Sequence, residues 1–146
     1  MIAPTAIIRG VGETFSFDTF DVEGANGWYT SNYSNKILKA NELIWKDDFD
    51  FGFVHFKAVD DAGHDKSVEK KVKMLEKVDQ AIGEFLELTK DLSLIICVTG
   101  DHTTPVKYGD HTYEPVPFLI SRTDSDTNKD LCDKFNEIDC LKKGSL

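Results

Sequence analysis

Hydrophobic positions along this chain follow two spacings, one typical of helices and one typical of strands. From Lys66 to Thr89 apolar residues recur every three or four positions among Glu and Lys, which predicts a long amphipathic helix. The same spacing predicts a helix over residues 34–45, and shorter helices are predicted over 5–15 and 129–139, with Thr5 as the first N-cap.

Strand patterns fill the segments between these helices. Residues 15–22 alternate apolar with polar, 49–59 are rich in aromatic and β-branched side chains, and 92–98 and 116–121 are mostly apolar. Strands separated by helices form parallel βαβ units with right-handed crossovers. We therefore expect an α/β fold, with a mostly parallel sheet, helices on both faces and no internal domain boundary.

Composition and charge narrow the range of functions. The chain has 146 residues, 40% of them hydrophobic, which suits one domain. A formal charge of -9, with basic residues interleaved among acids, argues against a nucleic-acid partner. Because no apolar run approaches roughly 18 residues and no signal peptide is evident, we expect a cytoplasmic protein without a membrane partner. The three cysteines form no CxxC pair, which fits a reducing compartment, and Cys97 is expected in the core.

Acidic and imidazole side chains follow the second predicted strand. Asp60 and His64 lie four residues apart, and Gly63 between them allows a tight turn. A carboxylate and an imidazole brought together are suitable ligands for a divalent metal. The alternative is an ordinary turn that contains a histidine by chance.

A second group of such residues follows the third predicted strand. Asp101 and His102 come soon after residues 92–98, and His111 lies in the loop before the next strand. An Asp–His pair alone is more often a helix cap or a surface pair. Open α/β sheets place their chemistry at the carboxyl ends of strands, so three of the four histidines are expected at one sheet edge. The combination favours a metal site there.

Four further residues are site candidates. One has a structural interpretation, and each of the other three has two interpretations. His55 lies within a predicted strand, where a hydrogen-bonded structural histidine is expected. Lys57 is a candidate phosphate contact, and a solvent-facing lysine is the alternative. The same two interpretations apply to Arg9 and Lys107.

Seven segments of the chain carry a family resemblance. They are Ala6–Gly12, Gly24–Gly27, Thr30–Tyr33, Phe53–Asp65, Thr99–Pro105, Asp110–Thr112 and Glu114–Phe118. In order and spacing they resemble the cofactor-independent phosphoglycerate mutases, specifically the archaeal type, which belong to the alkaline phosphatase superfamily. The resemblance spans nearly the whole chain and implies an alkaline-phosphatase-like fold.

The resemblance also implies a centre of two divalent metal ions. Asp60, His64 and His111 are similar to the three ligands of one metal, and Asp101 and His102 are similar to two ligands of the other. Mn²⁺ is the expected ion, with Zn²⁺, Mg²⁺ and Co²⁺ as alternatives.

The implied activity is the interconversion of 2-phosphoglycerate and 3-phosphoglycerate in glycolysis and gluconeogenesis, through a phosphoserine and without bisphosphoglycerate. Lys57 and Arg9 are the candidate contacts to this small-molecule substrate. The family's nucleophilic serine has no counterpart here, because Ser16, Ser31 and Ser34 lie in other contexts. No catalytic residue is therefore assigned, and the nucleophile and a further aspartate ligand are expected upstream in the intact enzyme.

The sequence departs from the family in two respects. Val59 stands where the family usually has a proline before the metal-binding Asp60, and family members are much longer. We therefore expect residues 1–146 to be the C-terminal portion of the metal-binding phosphatase-like domain, incomplete at both ends and inactive alone. Its partner is then the remainder of the same polypeptide. The alternatives are another metal-dependent phosphohydrolase or phosphomutase of that superfamily, or a non-catalytic domain that kept the fold.

Overall fold

Helices and strands are both present in the computed structural model, which describes residues 1–46, 49–124 and 131–144. In chain order the elements are α1 (Ala6–Thr14), α2 (Tyr33–Lys46), α3 (Ala58–His64), α4 (Val68–Leu88), β1 (Ile95–Thr99), β2 (Phe118–Arg122) and α5 (Glu137–Lys143). The mixed α/β class is as expected. None of these helices is long and apolar enough to cross a membrane.

Helix α4 organises the helical part of the molecule and confirms the longest predicted helix. Its N-terminus is capped by the Ser67 hydroxyl, which accepts a hydrogen bond from the Lys70 backbone N–H at 3.3 Å. Helices α2 and α3 pack against it. The core between α2 and α4 contains the buried residues Tyr33, Ile37 and Ala81, against which Phe56, Val78 and Phe85 pack.

Helices α1 and α2 confirm two further predictions. Thr5 occupies the N-cap position of α1 with extended backbone, but its side chain makes no capping hydrogen bond. Amphipathic spacing therefore located these helices correctly, whereas the cap residue supplies only its backbone conformation.

The observed sheet differs from the predicted one. Strands β1 and β2 pair antiparallel, with Cys97 opposite Ile120 at the centre. The predicted parallel sheet is not confirmed, because residues 100–117 between these strands contain no helix and so form no βαβ crossover. Among the described residues the parallel contact is an isolated bridge between Ile2 and Val54.

The strand predicted over residues 15–22 is wrong. Ser16 has a φ of 61°, a left-handed conformation that turns the chain, and the residues that follow pair with no strand. Phe17 instead packs its ring edgewise on Phe51, with 5.8 Å between ring centroids. The apolar positions of this segment therefore pack against aromatic residues that follow α2, and do not form one face of a strand.

The strand predicted over residues 49–59 is reduced to a short extended segment. The His55 backbone N–H donates to the Ile2 carbonyl at 2.9 Å, which ties this segment to the start of the chain. The backbone then enters α3 at Ala58. Asp60 consequently lies on a helix and not in the predicted loop.

Two smaller expectations also change. The last helix begins at Glu137, later than predicted, and residues 129 and 130 of that prediction lie outside the described residues. Cys97 is exposed, not buried in a core. It shares a sheet face with Ile95 and Ile120, which are 70% and 57% exposed, because no described element covers that face.

Candidate metal centre

Helix α3 places Asp60 and His64 one turn apart on the same face. The Asp60 Oδ1 and His64 Nε2 atoms are 3.3 Å apart. Gly63 is buried in this helix, and a Cβ at this position would overlap the Thr104 carbonyl oxygen. The glycine is therefore needed for close packing against the Thr104 backbone, not for the tight turn that the sequence suggested.

His111 completes a group of three converging ligand atoms. Its Nε2 lies 3.1 Å from His64 Nε2 and 3.4 Å from Asp60 Oδ1. Ligands about 2.0–2.1 Å from a tetrahedral metal are about 3.3 Å from one another. Because all three atoms carry lone pairs, their convergence is favourable only around a shared cation or proton. The structure thus brings together the three residues expected to form one metal site.

A hydrogen bond to the backbone fixes the orientation of His64. Its Nδ1 donates to the Gly109 carbonyl oxygen at 3.2 Å, since a carbonyl can only accept. Gly109 has a φ of 76°, which glycine adopts without strain. With the proton on Nδ1, the lone pair of Nε2 faces Asp60 and His111, which is the arrangement that metal-binding histidines require.

The loop from β1 to β2 brings His102 next to His111. An antiparallel bridge joins Thr103 to Thr112, where the Thr112 N–H donates to the Thr103 carbonyl at 3.1 Å. The two imidazole rings that flank this bridge are 3.7 Å apart between centroids. Ligand atoms of Asp60, His102 and His111 all lie within 4.8 Å of one another.

We define the Asp–His cluster as Asp60, His64, His102 and His111. Asp101 lies at its rim, with a side chain 67% exposed and Oδ2 3.5 Å from His102 Nε2. His102 is therefore within reach both of the residues expected to bind one metal and of its expected partner at the second.

Hydrogen bonds keep the Asp60 carboxylate ionised. Burial opposes its ionisation, but Thr104 Oγ1 donates to Oδ1 at 2.7 Å and Lys57 Nζ donates to Oδ2 at 3.1 Å, and the pKa of Asp60 falls below its usual range. Sequence reasoning missed Thr104, although it lies in the Thr99–Pro105 motif. Lys71 Nζ donates to the Thr104 carbonyl at 2.6 Å and holds that segment in place.

Lys57 precedes α3 and faces two carboxylates of that helix. Its Nζ lies 2.5 Å from Asp61 Oδ1 as well as 3.1 Å from Asp60 Oδ2. Burial favours the neutral amine, but the bonds to Asp61 and Asp60 prevail and raise the pKa of Lys57. This lysine therefore stabilises the charge of a candidate metal ligand.

The remaining candidates lie outside the cluster. His55 is half-buried, and its Nδ1 has no hydrogen-bond partner among the described residues, contrary to the expected structural role; burial lowers its pKa. Arg9 donates from Nη1 to Asp21 Oδ1 at 2.5 Å. Lys107 is exposed.

Comparison with known proteins assigns this chain to a family. The model of the metalloenzyme superfamily matches residues 1–142, which is nearly the whole chain. The chain belongs to this superfamily. Membership in the metalloenzyme superfamily agrees with a cluster built from carboxylate and imidazole ligands.

Several relatives of this chain are enzymes with the same name. The 2,3-bisphosphoglycerate-independent phosphoglycerate mutase of Thermococcus kodakarensis is 36% identical over 143 residues, covering 98% of this chain and 34% of the relative. The Sulfurisphaera tokodaii enzyme of the same name is 39% identical over 145 residues, covering 99% and 34%. A solved structure from Pyrococcus horikoshii matches with a TM-score of 0.89 at 36% identity, covering 98% of this chain and 42% of that one. The chain thus spans about a third of the length of these mutases.

Proposed function

We propose that this chain forms the metal-binding part of a 2,3-bisphosphoglycerate-independent phosphoglycerate mutase, which interconverts 2-phosphoglycerate and 3-phosphoglycerate in glycolysis. The observation that carries the proposal is the convergence of Asp60 Oδ1, His64 Nε2 and His111 Nε2 at 3.1–3.4 Å from one another. Such ligand sets serve many metal-dependent phosphoryl-transfer enzymes. The names of the relatives favour the mutase among them.

The donor atoms fit divalent metal ions. Asp60, His64 and His111 would hold one ion, and Asp101 and His102 would contribute to the second, with Mn²⁺ as the expected ion and Zn²⁺, Mg²⁺ or Co²⁺ as alternatives. His102 lies against His111, with 3.7 Å between ring centroids, so residues that would hold the two ions are neighbours. When bound, such a pair stabilises the negative charge of a phosphoryl group in transfer.

The residues around Asp60 position it. Thr104 and Lys57 donate to different oxygens of the same carboxylate, so Asp60 cannot rotate without losing a charge-assisted hydrogen bond. Lys57 thereby keeps its own Nζ at the edge of the cluster, where contact with a substrate phosphate stays a prediction. The role of Arg9 at the substrate also stays a prediction.

The open face of the β1–β2 sheet supports a role for further polypeptide. Ile95, Ile120 and Phe118 are 70%, 57% and 42% exposed, and contiguous exposed apolar side chains mark surfaces that another segment covers. The curated relatives are about three times as long as this chain. We propose that the remainder of the same polypeptide covers this face and supplies the serine that becomes phosphorylated.

Metal binding tests the ligand assignment. The chain is stripped with EDTA, dialysed and titrated calorimetrically with Mn²⁺ and with Zn²⁺. We expect wild type to bind and His64→Ala to lose most of the affinity. His55→Asn is the matched control, because it removes an imidazole that lies outside the cluster. Equal affinity of His64→Ala and wild type would refute the assignment.

An enolase-coupled assay tests whether the chain alone has mutase activity. The Mn²⁺-loaded chain is mixed with 3-phosphoglycerate and enolase. Formation of the enolase product is compared with a blank that lacks the chain. We expect no turnover, because the proposed nucleophile lies outside this chain. Turnover by the chain alone would contradict the proposal that the remainder of the polypeptide completes the site.

A further inference from the structure

Lys66 adopts a backbone conformation that is rare for a residue with a side chain. Its φ is 53°, in the left-handed region. It ends α3 in a Schellman motif, in which the Ser67 N–H donates to the Ala62 carbonyl at 3.1 Å. The Lys66 N–H donates to the Gly63 carbonyl at 3.0 Å in the same motif. Glycine usually occupies this position, because a Cβ makes the left-handed conformation unfavourable, so a lysine here costs the fold free energy.

The side chain of Lys66 packs across Gly109. A Cβ placed on Gly109 would overlap Cε and Cγ of Lys66 and crowd its Cδ, so the aliphatic stem of the lysine lies directly against the glycine. Gly109 closes a turn that begins at Pro105, whose carbonyl oxygen accepts a hydrogen bond from the Gly109 N–H at 2.8 Å. The stem of Lys66 thus joins the end of α3 to the end of the 105–109 turn.

The same glycine orients a candidate metal ligand. The Gly109 carbonyl oxygen accepts the hydrogen bond from His64 Nδ1 at 3.2 Å, which leaves the lone pair of Nε2 for an ion. His64 and Lys66 both belong to the end of α3, and both contact Gly109. Movement of the 105–109 turn away from α3 would break the hydrogen bond to His64. The packed stem of Lys66 opposes that movement.

The charge of Lys66 does not account for its position. The nearby Lys70 pairs with Asp65 at 2.7 Å, whereas the ammonium group of Lys66 forms no ion pair with any residue that the structure describes. A positive charge close to a metal site repels a divalent cation. Any benefit of Lys66 to the metal centre must therefore come from its aliphatic stem.

We propose that Lys66 is a positioning residue for the metal centre. Its stem holds the 105–109 turn against α3 and thereby fixes the ring orientation and the tautomer of His64. The consequence for metal binding rests on the proposed function. The orientation of His64 does not, because it concerns the chain without metal.

Two variants separate the stem of Lys66 from its charge. Lys66→Met keeps an unbranched apolar stem without the ammonium group, whereas Lys66→Asn lacks both and tolerates the left-handed conformation. Because both variants lack the charge, Lys66→Met is the matched control for Lys66→Asn. Circular dichroism and urea unfolding monitor folding. Lys66→Gly, which removes the stem and the backbone strain together, is the second variant if Lys66→Asn folds poorly.

The tautomer of His64 is measured first, in the metal-free chain. Proton–nitrogen correlation spectra of the imidazole rings are recorded at a pH at which the rings are neutral, and His64→Ala identifies the signals of His64. We expect the proton on Nδ1 in wild type and in Lys66→Met, and a mixture of both tautomers in Lys66→Asn. An unchanged tautomer in Lys66→Asn would overturn the proposal, whether or not the chain binds metal.

Calorimetric titration with Mn²⁺ then measures the consequence for the metal centre. Lys66→Met should bind at least as tightly as wild type, since it loses a repelling charge. Lys66→Asn should bind about three- to tenfold more weakly than Lys66→Met, a smaller loss than the roughly 10–100-fold cost of removing an outer hydrogen-bond partner. Equal affinity of these two variants would also overturn the proposal. If wild type binds no metal, the ligand assignment fails instead, and the tautomer of His64 alone decides the role of Lys66.

Discussion

The Asp–His cluster presents lone pairs to water, whereas Lys36 of α2 holds its ammonium group away from water. In the cluster, the side chains of Asp60, His64 and His111 are 24%, 39% and 51% exposed. Lys36 is 0% exposed. The first arrangement suits a cation that arrives from solvent, whereas the second is a buried ammonium group that donates a hydrogen bond to the His55 carbonyl oxygen.

This difference in exposure determines what each group does to stability. Partly exposed ligand atoms keep part of their hydration, so the repulsion among their lone pairs costs the fold less than a fully buried charge would. A buried ammonium group loses its hydration and lowers the free energy of unfolding. Substitutions in the cluster should therefore change binding more than stability, and substitution of Lys36 should change stability and its pH dependence.

Asp60→Asn should give the largest effect. It removes the negative charge at the centre of the three ligand atoms, so the affinity for Mn²⁺ or Zn²⁺ should fall by more than the roughly 100-fold that loss of an outer hydrogen bond can cost. Calorimetric titration measures it. Asp61→Asn is the control, because it breaks the other ion pair of Lys57 without removing a ligand atom. Similar losses in both variants would mean that Lys57, and not ligation, governs binding.

Because Lys36 is buried, the free energy of unfolding should increase as the pH rises. Burial lowers its pKa from 10.5 to about 8, so between these values the unfolded chain binds more protons than the folded one. The free energy of unfolding therefore increases with pH across this window, by up to about 3 kcal/mol at 1.36 kcal/mol per pKa unit. Urea unfolding of wild type and Lys36→Met at pH 7.5, 9 and 10.5 measures the difference.

The comparison with Lys36→Met isolates this contribution. Arg9 and Asp21 lie on one side of Lys36, and Tyr33 and Lys77 lie on the other, and all four residues are the same in both proteins. Wild type should gain stability relative to Lys36→Met as the pH increases. A constant difference would show that Lys36 is hydrated in solution, and the contrast with the cluster would then fail.

Features set by local sequence patterns could be predicted, and features that depend on long-range contacts could not. The helix α4 was predictable because its periodic pattern is local and long. The ligands Asp60 and His111 were predictable because their residue types follow apolar runs in a recognisable order. The helix that carries Asp60 was not, since α3 replaces the expected loop. The strand predicted over 15–22 failed because pairing depends on a partner strand that local alternation does not reveal.

Lys36 illustrates the limit most clearly. A lysine within an amphipathic helix is ordinarily placed on the solvent face. Here the acceptor is the carbonyl oxygen of His55, nineteen residues away along the chain. Only the packing of α2 against that distant segment buries the ammonium group, so nothing in the local pattern distinguishes it from the exposed Lys46.

Gly63→Ala should change both stability and metal binding, unlike other changes near the cluster. The added Cβ would overlap the Thr104 backbone, so the free energy of unfolding should fall by about 1–3 kcal/mol. Because Thr104 donates to Asp60, metal affinity should weaken as well. Gly83→Ala on α4 meets open space and should raise stability by about 0.5–1 kcal/mol. Urea unfolding should therefore show opposite signs, and equal signs would contradict the packing role of Gly63.

Asp101→Asn should give the smallest effect in this chain. Its side chain is 67% exposed, and its carboxylate lies 3.5 Å from His102 Nε2 and accepts a hydrogen bond from the His102 backbone N–H, so it contributes little to an ion held by Asp60, His64 and His111. We expect less than a twofold change in affinity for the first metal equivalent, measured in the same titration as Asp60→Asn. A loss approaching that of Asp60→Asn would place Asp101 and the three converging ligands around one shared ion, and would remove the basis for assigning two separate ions to the cluster.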